Sequence, residues 1–203
     1  MLLAALAGCR ADPPAGAPLP AATEAGAAPR SATICAAEAS AALAARDMRR
    51  LATIVGAGHA VAFTPFGYAR VADGAVRAEQ LDAELRDGHV RDWGTLGESD
   101  DPLRLSFTDY LARYAWDAAY AQLGPRAAGS ASYDAASGEA REILAAIGAL
   151  HPGATITEYQ KPPSAPGATD WRVLRLVCVP VLGLGLGGGG YRLARVIHSE
   201  WTP

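Results

Sequence analysis

Two stretches decide the fold: Trp171-Arg172-Val173-Leu174-Arg175-Leu176-Val177-Cys178-Val179 and Tyr191-Arg192-Leu193-Ala194-Arg195-Val196-Ile197-His198-Ser199. Both are rich in Val, Ile and Leu with charged residues set among them, so both read as strands. Side chains alternate across a strand. Trp171, Val173, Arg175 and Val177 therefore share a face of the first. In the second, Arg192, Ala194, Val196 and His198 share one face, and Tyr191, Leu193, Arg195 and Ile197 the other. Between them, Gly183-Leu184-Gly185-Leu186-Gly187-Gly188 has the G-x-G-x-x-G spacing of dinucleotide sites. Such a site needs a helix N-terminus directly after it, turning free N–H groups toward the pyrophosphate. A strand follows instead, so the glycines read as a hairpin loop.

Working outward, Ala154 to Gln160 is a β-branched strand, followed by a Pro-rich loop from Lys161 to Thr169. Glu139 to Leu150 is a helix with Ile143, Leu144 and Ile147 inward, stopped by His151-Pro152-Gly153. Gly129 to Gly138 is a loop. Thr108 reads as the N-cap of a helix carrying Leu111, Tyr114, Ala115 and Ala118. Val90 to Leu96 and Leu103 to Phe107 read as strands across the acidic turn Glu98-Ser99-Asp100-Asp101-Pro102. Ala78 to Arg86 is a short helix with Leu81 and Leu85 on one face. Ala60 to Thr64 and Tyr68 to Val71 are extended segments around Pro65, and Asp73-Gly74 is a tight turn. From Thr33 to Val55 a helical stripe runs through Ile34, Ala37, Ala41, Ala44, Met48, Leu51 and Val55. Asp47 caps its second half, and Gly56 and Gly58 stop it. Helices come first and the best strand pairing last. That order predicts an α+β domain over residues 33–203, with N-terminal helices packed on one face of a curved antiparallel sheet.

Composition bounds the rest. The chain has 203 residues, 50% hydrophobic and 19% charged, with 22 Gly, 14 Pro and 3 Cys. That length suits one domain, or one domain with a tail. A net charge of -3 argues against a nucleic-acid binder that works through a basic face. No apolar run reaches the roughly 18 residues of a spanning helix. Three cysteines are too few for a disulfide-built scaffold. Lys161 is the sole lysine and asparagine is absent, which reads as the codon bias of a GC-rich bacterial genome.

The segment Met1-Leu2-Leu3-Ala4-Ala5-Leu6-Ala7-Gly8-Cys9 resembles the lipobox of bacterial lipoproteins. In that family the Cys thiol receives a diacylglyceryl group and the peptide is cut just before it. The resemblance implies a signal peptide over residues 1–8, with Cys9 as the lipidated mature N-terminus. The basic n-region expected of a signal is missing before Leu2, as it would be with a start placed too far downstream. Residues 9–32 are rich in Ala, Pro and Gly without apolar periodicity and read as a tether. The implied place is the bacterial cell envelope. The domain would stand on the periplasmic or extracellular side, with the lipid bilayer as partner through acylated (palmitate-type) Cys9.

The C-terminal strands resemble the end of an uncharacterised family of bacterial lipoproteins that carry D-W-x-x-L-R-L-V and W-Y-L-x-x-I-x-H-x-x-W-T segments. Here the matching residues are Asp170-Trp171 through Val177, and Tyr191 through Trp201-Thr202. His59 to Tyr68 is similar to that family's GVRFSPY segment. Trp93-Gly94 with Leu105 to Tyr110 is similar to its WG…LTFxEY segment. The family's central Gly-Asn segment is missing here, and its hairpin turn is shorter. The element order is similar to the NTF2-like (cystatin-like) cone, in which helices and a bent sheet enclose a pocket.

No H-x-x-x-H, C-x-x-C, H-E-x-x-H or G-x-S-x-G spacing occurs, so neither a metal, a cofactor nor a hydrolase elbow has support. The pocket candidates are Trp93, Tyr110, Asp170, Trp171, Arg175, His198 and Trp201. An Asp170–His198 pair would suit general acid/base work near neutral pH. The plainer reading makes the tryptophans core-end plugs and Asp170 a loop or arginine partner. Tyr110, Tyr114, Trp116 and Tyr120 read as packing residues. Cys35 and Cys178 remain. Outside the cytoplasm they can pair if their Cα atoms lie within about 7 Å; otherwise they are two buried thiols. The expected function is a non-catalytic module for an unidentified small molecule or envelope protein. The alternative is a pocket enzyme using His198 and Asp170.

Overall fold

The computed structural model describes residues 28–67, 69–70, 73–95, 101–129, 132–134, 139–181 and 189–201. The lipobox with Cys9, most of the tether, and the G-x-G-x-x-G segment lie outside them.

Helix α1 spans Ala32–Ala45, its first turn capped by Ser31, whose Oγ accepts from Ile34 N–H. Arg46 adopts a left-handed conformation that ends it, and helix α2, Met48–Val55, starts at once. Asp47 caps α2 by accepting from Arg50 N–H, as its position suggests. Strand β1 is Ala60–Thr64 and β2 is Ala75–Arg77. A 3-10 turn, Ala78–Gln80, leads into α3, Leu81–Asp87. Strands β3, Val90–Thr95, and β4, Pro102–Ser106, form a separate hairpin. Helix α4 is Phe107–Tyr110, continued as one π-helical turn over Leu111–Ala115. Its cap is Ser106 rather than Thr108. The Ser106 hydroxyl accepts from Asp109 N–H and donates to the Asp109 carboxylate. The short α5, Tyr120–Leu123, and β5, Arg126–Ala127, precede α6, Glu139–Leu150. Strands β6, Thr155–Lys161, β7, Arg172–Val181, and β8, Gly190–Glu200, complete the order.

Six strands form one open sheet in the order β2-β1-β8-β7-β6-β5. The domain is thus mixed α+β, and its best pairing is the β7–β8 hairpin. The sheet is not wholly antiparallel: β1 runs parallel to β8, with Ala62 opposite Arg195 and Thr64 opposite Ile197. Residue patterning within one strand carries no direction, so this pairing was invisible in it. Nor do helices occupy one face only. Helices α1 and α2 pack with Val61, Phe63, Leu174, Leu176, Cys178, Leu193 and Val196. Helix α6 covers the reverse face, where Ile143 and Ile147 meet Ala69, Val177 and Ile197.

Simple alternation also fails once in β8. Val177 stands opposite Arg195 but Cys178 stands opposite Leu193, so Ala194 is an extra residue in the ladder. Such a bulge resets the parity of the strand. Leu193 therefore joins Val196 on the α1 face, and Arg195 joins Ile197 on the α6 face. In α1 the expected stripe is rotated. Ile34, Ala37, Ala41 and Ala44 are exposed, whereas Cys35, Ala36, Ala39, Ala42 and Leu43 face the sheet. Nearly every α1 position is small, so apolar spacing does not mark a side. Tyr68 to Val71 is not a strand where described; Ala69 and Arg70 lead toward Asp73 without regular structure.

Candidate functional site

The chemistry-bearing side chains gather on the two sides of β7 and β8. On the α1 side, His198 is fully buried. The end of β8 brings it beneath the π-helical turn, with the Tyr114 ring at 5.8 Å edge-on. Its Nε2 lies 3.2 Å from Asp117 Oδ2 and its Nδ1 lies 3.4 Å from the Pro65 carbonyl. Both ring nitrogens thus face oxygen atoms. Asp117 also accepts from Tyr120 Oη at 2.7 Å and Arg172 Nε at 3.1 Å. Arg172 reaches Glu200 at 2.9 Å, and Glu200 accepts both terminal nitrogens of Arg113. Burial alone would raise the Asp117 pKa. The His198 hydrogen bond and charge, with the Tyr120 hydroxyl, outweigh that and hold it down at about 2. Tyr120 is pushed far up, by burial first and then by the Asp117 charge.

On the α6 side, Arg175 is fully buried. Its Nε donates to Glu158 Oε1 at 2.8 Å and its Nη1 to Ser199 Oγ at 2.7 Å. Its Nη2 serves Asp134 Oδ2 at 2.6 Å and Ser132 Oγ at 3.2 Å. Glu158 stands directly opposite Arg175 in the β6–β7 ladder, which is why they meet. Gln160 Nε2 donates to the second Glu158 oxygen at 2.8 Å. A third cluster lies beside it. Arg195 binds the Asp73 carboxylate, Thr64 Oγ1 at 2.8 Å and the Arg70 carbonyl at 3.1 Å.

The expected site residues do not share one mouth. Arg175 and His198 lie on opposite faces of the sheet. Asp170 stands before β7 and accepts from Lys161 Nζ at 2.9 Å and Ser164 N–H at 2.8 Å. The Ser164 amide first, and then Lys161, hold its carboxyl well below the usual range. His198 takes Asp117 as its carboxylate instead. Trp93 and Tyr110 are buried and stacked at 4.2 Å, with Phe63 and Phe107 against them. Burial pushes the Tyr110 hydroxyl well up. Trp171 is half-buried and its carbonyl accepts from Arg172. Trp201 is 48% exposed and plugs no core. Cys35 and Cys178 form a disulfide with Cα atoms 6.3 Å apart, tying α1 to β7. Asp117, Glu158 and Asp134 were not singled out from the sequence, and Asp73 was read there only as a turn residue. Glu158 carried a signal: a lone carboxylate inside a β-branched strand, as Arg175 is a guanidinium set inside a run of Val and Leu.

Among the described residues, no group of three or more His, Cys, Asp or Glu side chains is placed to hold a metal ion. Nor, among them, is any helix long and apolar enough to cross a membrane. No protein-family model matches the chain, and no detectable similarity links it to a curated protein or a solved structure.

Proposed function

We propose that this chain is a lipid-anchored protein of the bacterial cell envelope. Its domain works outside the cytoplasm as a non-catalytic ligand-binding or interaction module, and the tether ends in an acylated Cys9. The observation that carries this reading is the Cys35–Cys178 disulfide, a bond that persists in oxidising compartments and is rare in the cytosol. The lipobox-like residues Leu6-Ala7-Gly8-Cys9 supply the anchor. Binding is favoured over catalysis because His198 is buried with both nitrogens engaged, and Asp170 is held by Lys161 and Ser164. We further propose kinship with the uncharacterised lipoprotein family described above and an NTF2-like arrangement. Helices at the start of the chain on one sheet face, with the long β7 and β8 at the sheet centre, support it.

The test is metabolic labelling with an alkyne fatty acid in a bacterium expressing the chain behind a complete leader. Label on the wild type, lost together with membrane association in Cys9→Ser, is the expected result. An unlabelled wild type overturns the anchor. A broad thermal-shift screen on the oxidised Cys9→Ser chain addresses the module, since a ligand that binds the folded state raises the melting temperature.

A further inference from the structure

The bulge at Ala194 gathers positive charge under the end of α6. Arg192 pairs with Val179 and Arg195 with Val177, while Leu193 pairs with Cys178 on the α1 side. Both arginines therefore face α6, where strict alternation would have parted them. His151, the half-buried residue just after α6, meets them there. Arg195 Nε donates to His151 Nε2 at 3.4 Å. The rest of that guanidinium is taken: Nη1 holds Thr64 and Asp73, and Nη2 holds the Arg70 carbonyl. An arginine nitrogen never accepts, so Nε2 is the bare nitrogen of a neutral imidazole. Protonation there sets two N–H groups against each other and a third cation beside Arg192 and Arg195. The carbonyl end of a helix ordinarily favours a cation. Here burial first, then Arg195 and Arg192, work the other way and lower the His151 pKa below the ordinary 6.5. The other charges on this side are spoken for or distant. Glu158 and Asp134 bind Arg175, and the Arg70 side chain is exposed. Glu139, Arg141 and Glu142 stand more than two turns back along α6.

We propose that His151 is an acid-released latch on α6: neutral, it ties the helix end to β8, and protonated, it is driven off Arg195 so that α6 loosens from the sheet. Helix α6 is an element such a latch can move, because it rests on the small cluster of Ala69, Ile143, Ile147, Val177 and Ile197. Acid thereby uncovers an apolar strip of the sheet at Val177 and Ile197 and leaves the larger α1 face closed. The latch's stabilisation is fully present above the ordinary histidine value of 6.5 and is lost as pH falls below it. The device depends neither on the lipid anchor nor on a ligand.

The experiment follows amide hydrogen exchange in the oxidised full chain carrying Cys9→Ser, at pH 7.5 and at pH 5. Protection factors are compared, which removes the intrinsic pH dependence of exchange. Protection over Ile143 to Leu150 should fall about tenfold on acidification, the loss of one hydrogen bond from a charged donor, while β7 and β8 keep theirs. His151→Gln, whose amide oxygen accepts from Arg195 without titrating, should show no such fall. His59, His89 and His198 are present in both proteins, so a difference between the two belongs to His151. A comparable fall in folded His151→Gln overturns the latch, and so does a parent whose α6 is equally protected at both pH values. If the variant does not fold, the parent decides alone. Its α6 protection should then fall with the same midpoint at which the His151 ring signal titrates by NMR, and separate midpoints overturn the proposal.

Discussion

At the residue scale the Asp117 carboxylate serves three side chains at once, those of His198, Tyr120 and Arg172. Its folded pKa of about 2 lies below the ordinary 3.8. A depressed carboxyl stabilises the fold fully above the ordinary value and loses that contribution as pH falls from 3.8 through about 2. The size at neutral pH is about 2 kcal/mol. Asp117→Asn should cost about 3 kcal/mol at pH 7, because it removes the buried carboxylate that His198, Tyr120 and Arg172 share and leaves Arg172 with Glu200 alone. Between pH 4 and pH 2 the variant should lose less stability than the parent. Urea unfolding at the two pH values checks this, and equal acid losses in both proteins would remove Asp117 from the role. His198 stood out in the sequence because it interrupts an apolar strand. Asp117 did not, because Trp116-Asp117-Ala118-Ala119 has no period and acquires its neighbours only when the π-helical turn folds over β8.

At the element scale, the disulfide does what hydrophobic patterning in α1 does not. The inward face of α1 is mostly alanine, which buries little area, with Leu43 the one large side chain besides Cys35. The Cys35–Cys178 bond spans 143 positions of sequence, so it removes much freedom from the unfolded chain. Replacing both by alanine should cost about 3–5 kcal/mol. Reductant should lower the melting temperature of the parent and leave that of the double variant unchanged; a parent indifferent to reductant would show that α1 is held by packing alone. Long elements with a strong pattern were legible: α6 has the bounds its apolar spacing indicates, and β7 and β8 lie within two residues of theirs. Elements shaped by distant contacts were not. Strand β2 is three residues long, too short to show a period, and the side of α1 that faces inward is set by where Cys178 waits.

At the scale of the whole molecule, the two sheet faces are unequal. The α1 face joins nearly every helix and strand in one apolar cluster, while α6 rests on a small one of Ala69, Ile143, Ile147, Val177 and Ile197. Amide hydrogen exchange should therefore release α6 before the central strands β7 and β8. Simultaneous exchange would mean that the polar centres beneath α6 hold it as firmly as the main core holds the sheet. The parallel pair adds a matter of timing. Strand β8 stands between β1 and β7, and it alone joins the β1–β2 part of the sheet to the β5–β6–β7 part. Thr64 and Arg195, which bond each other there, are 131 positions apart. A ribosome must pass residue 200 before the two parts can close into one sheet, and closure over so long a span is slow. Until then the chain holds at most two partial sheets with nothing to join them, so the strand made late in synthesis is the one that turns two halves into a single body.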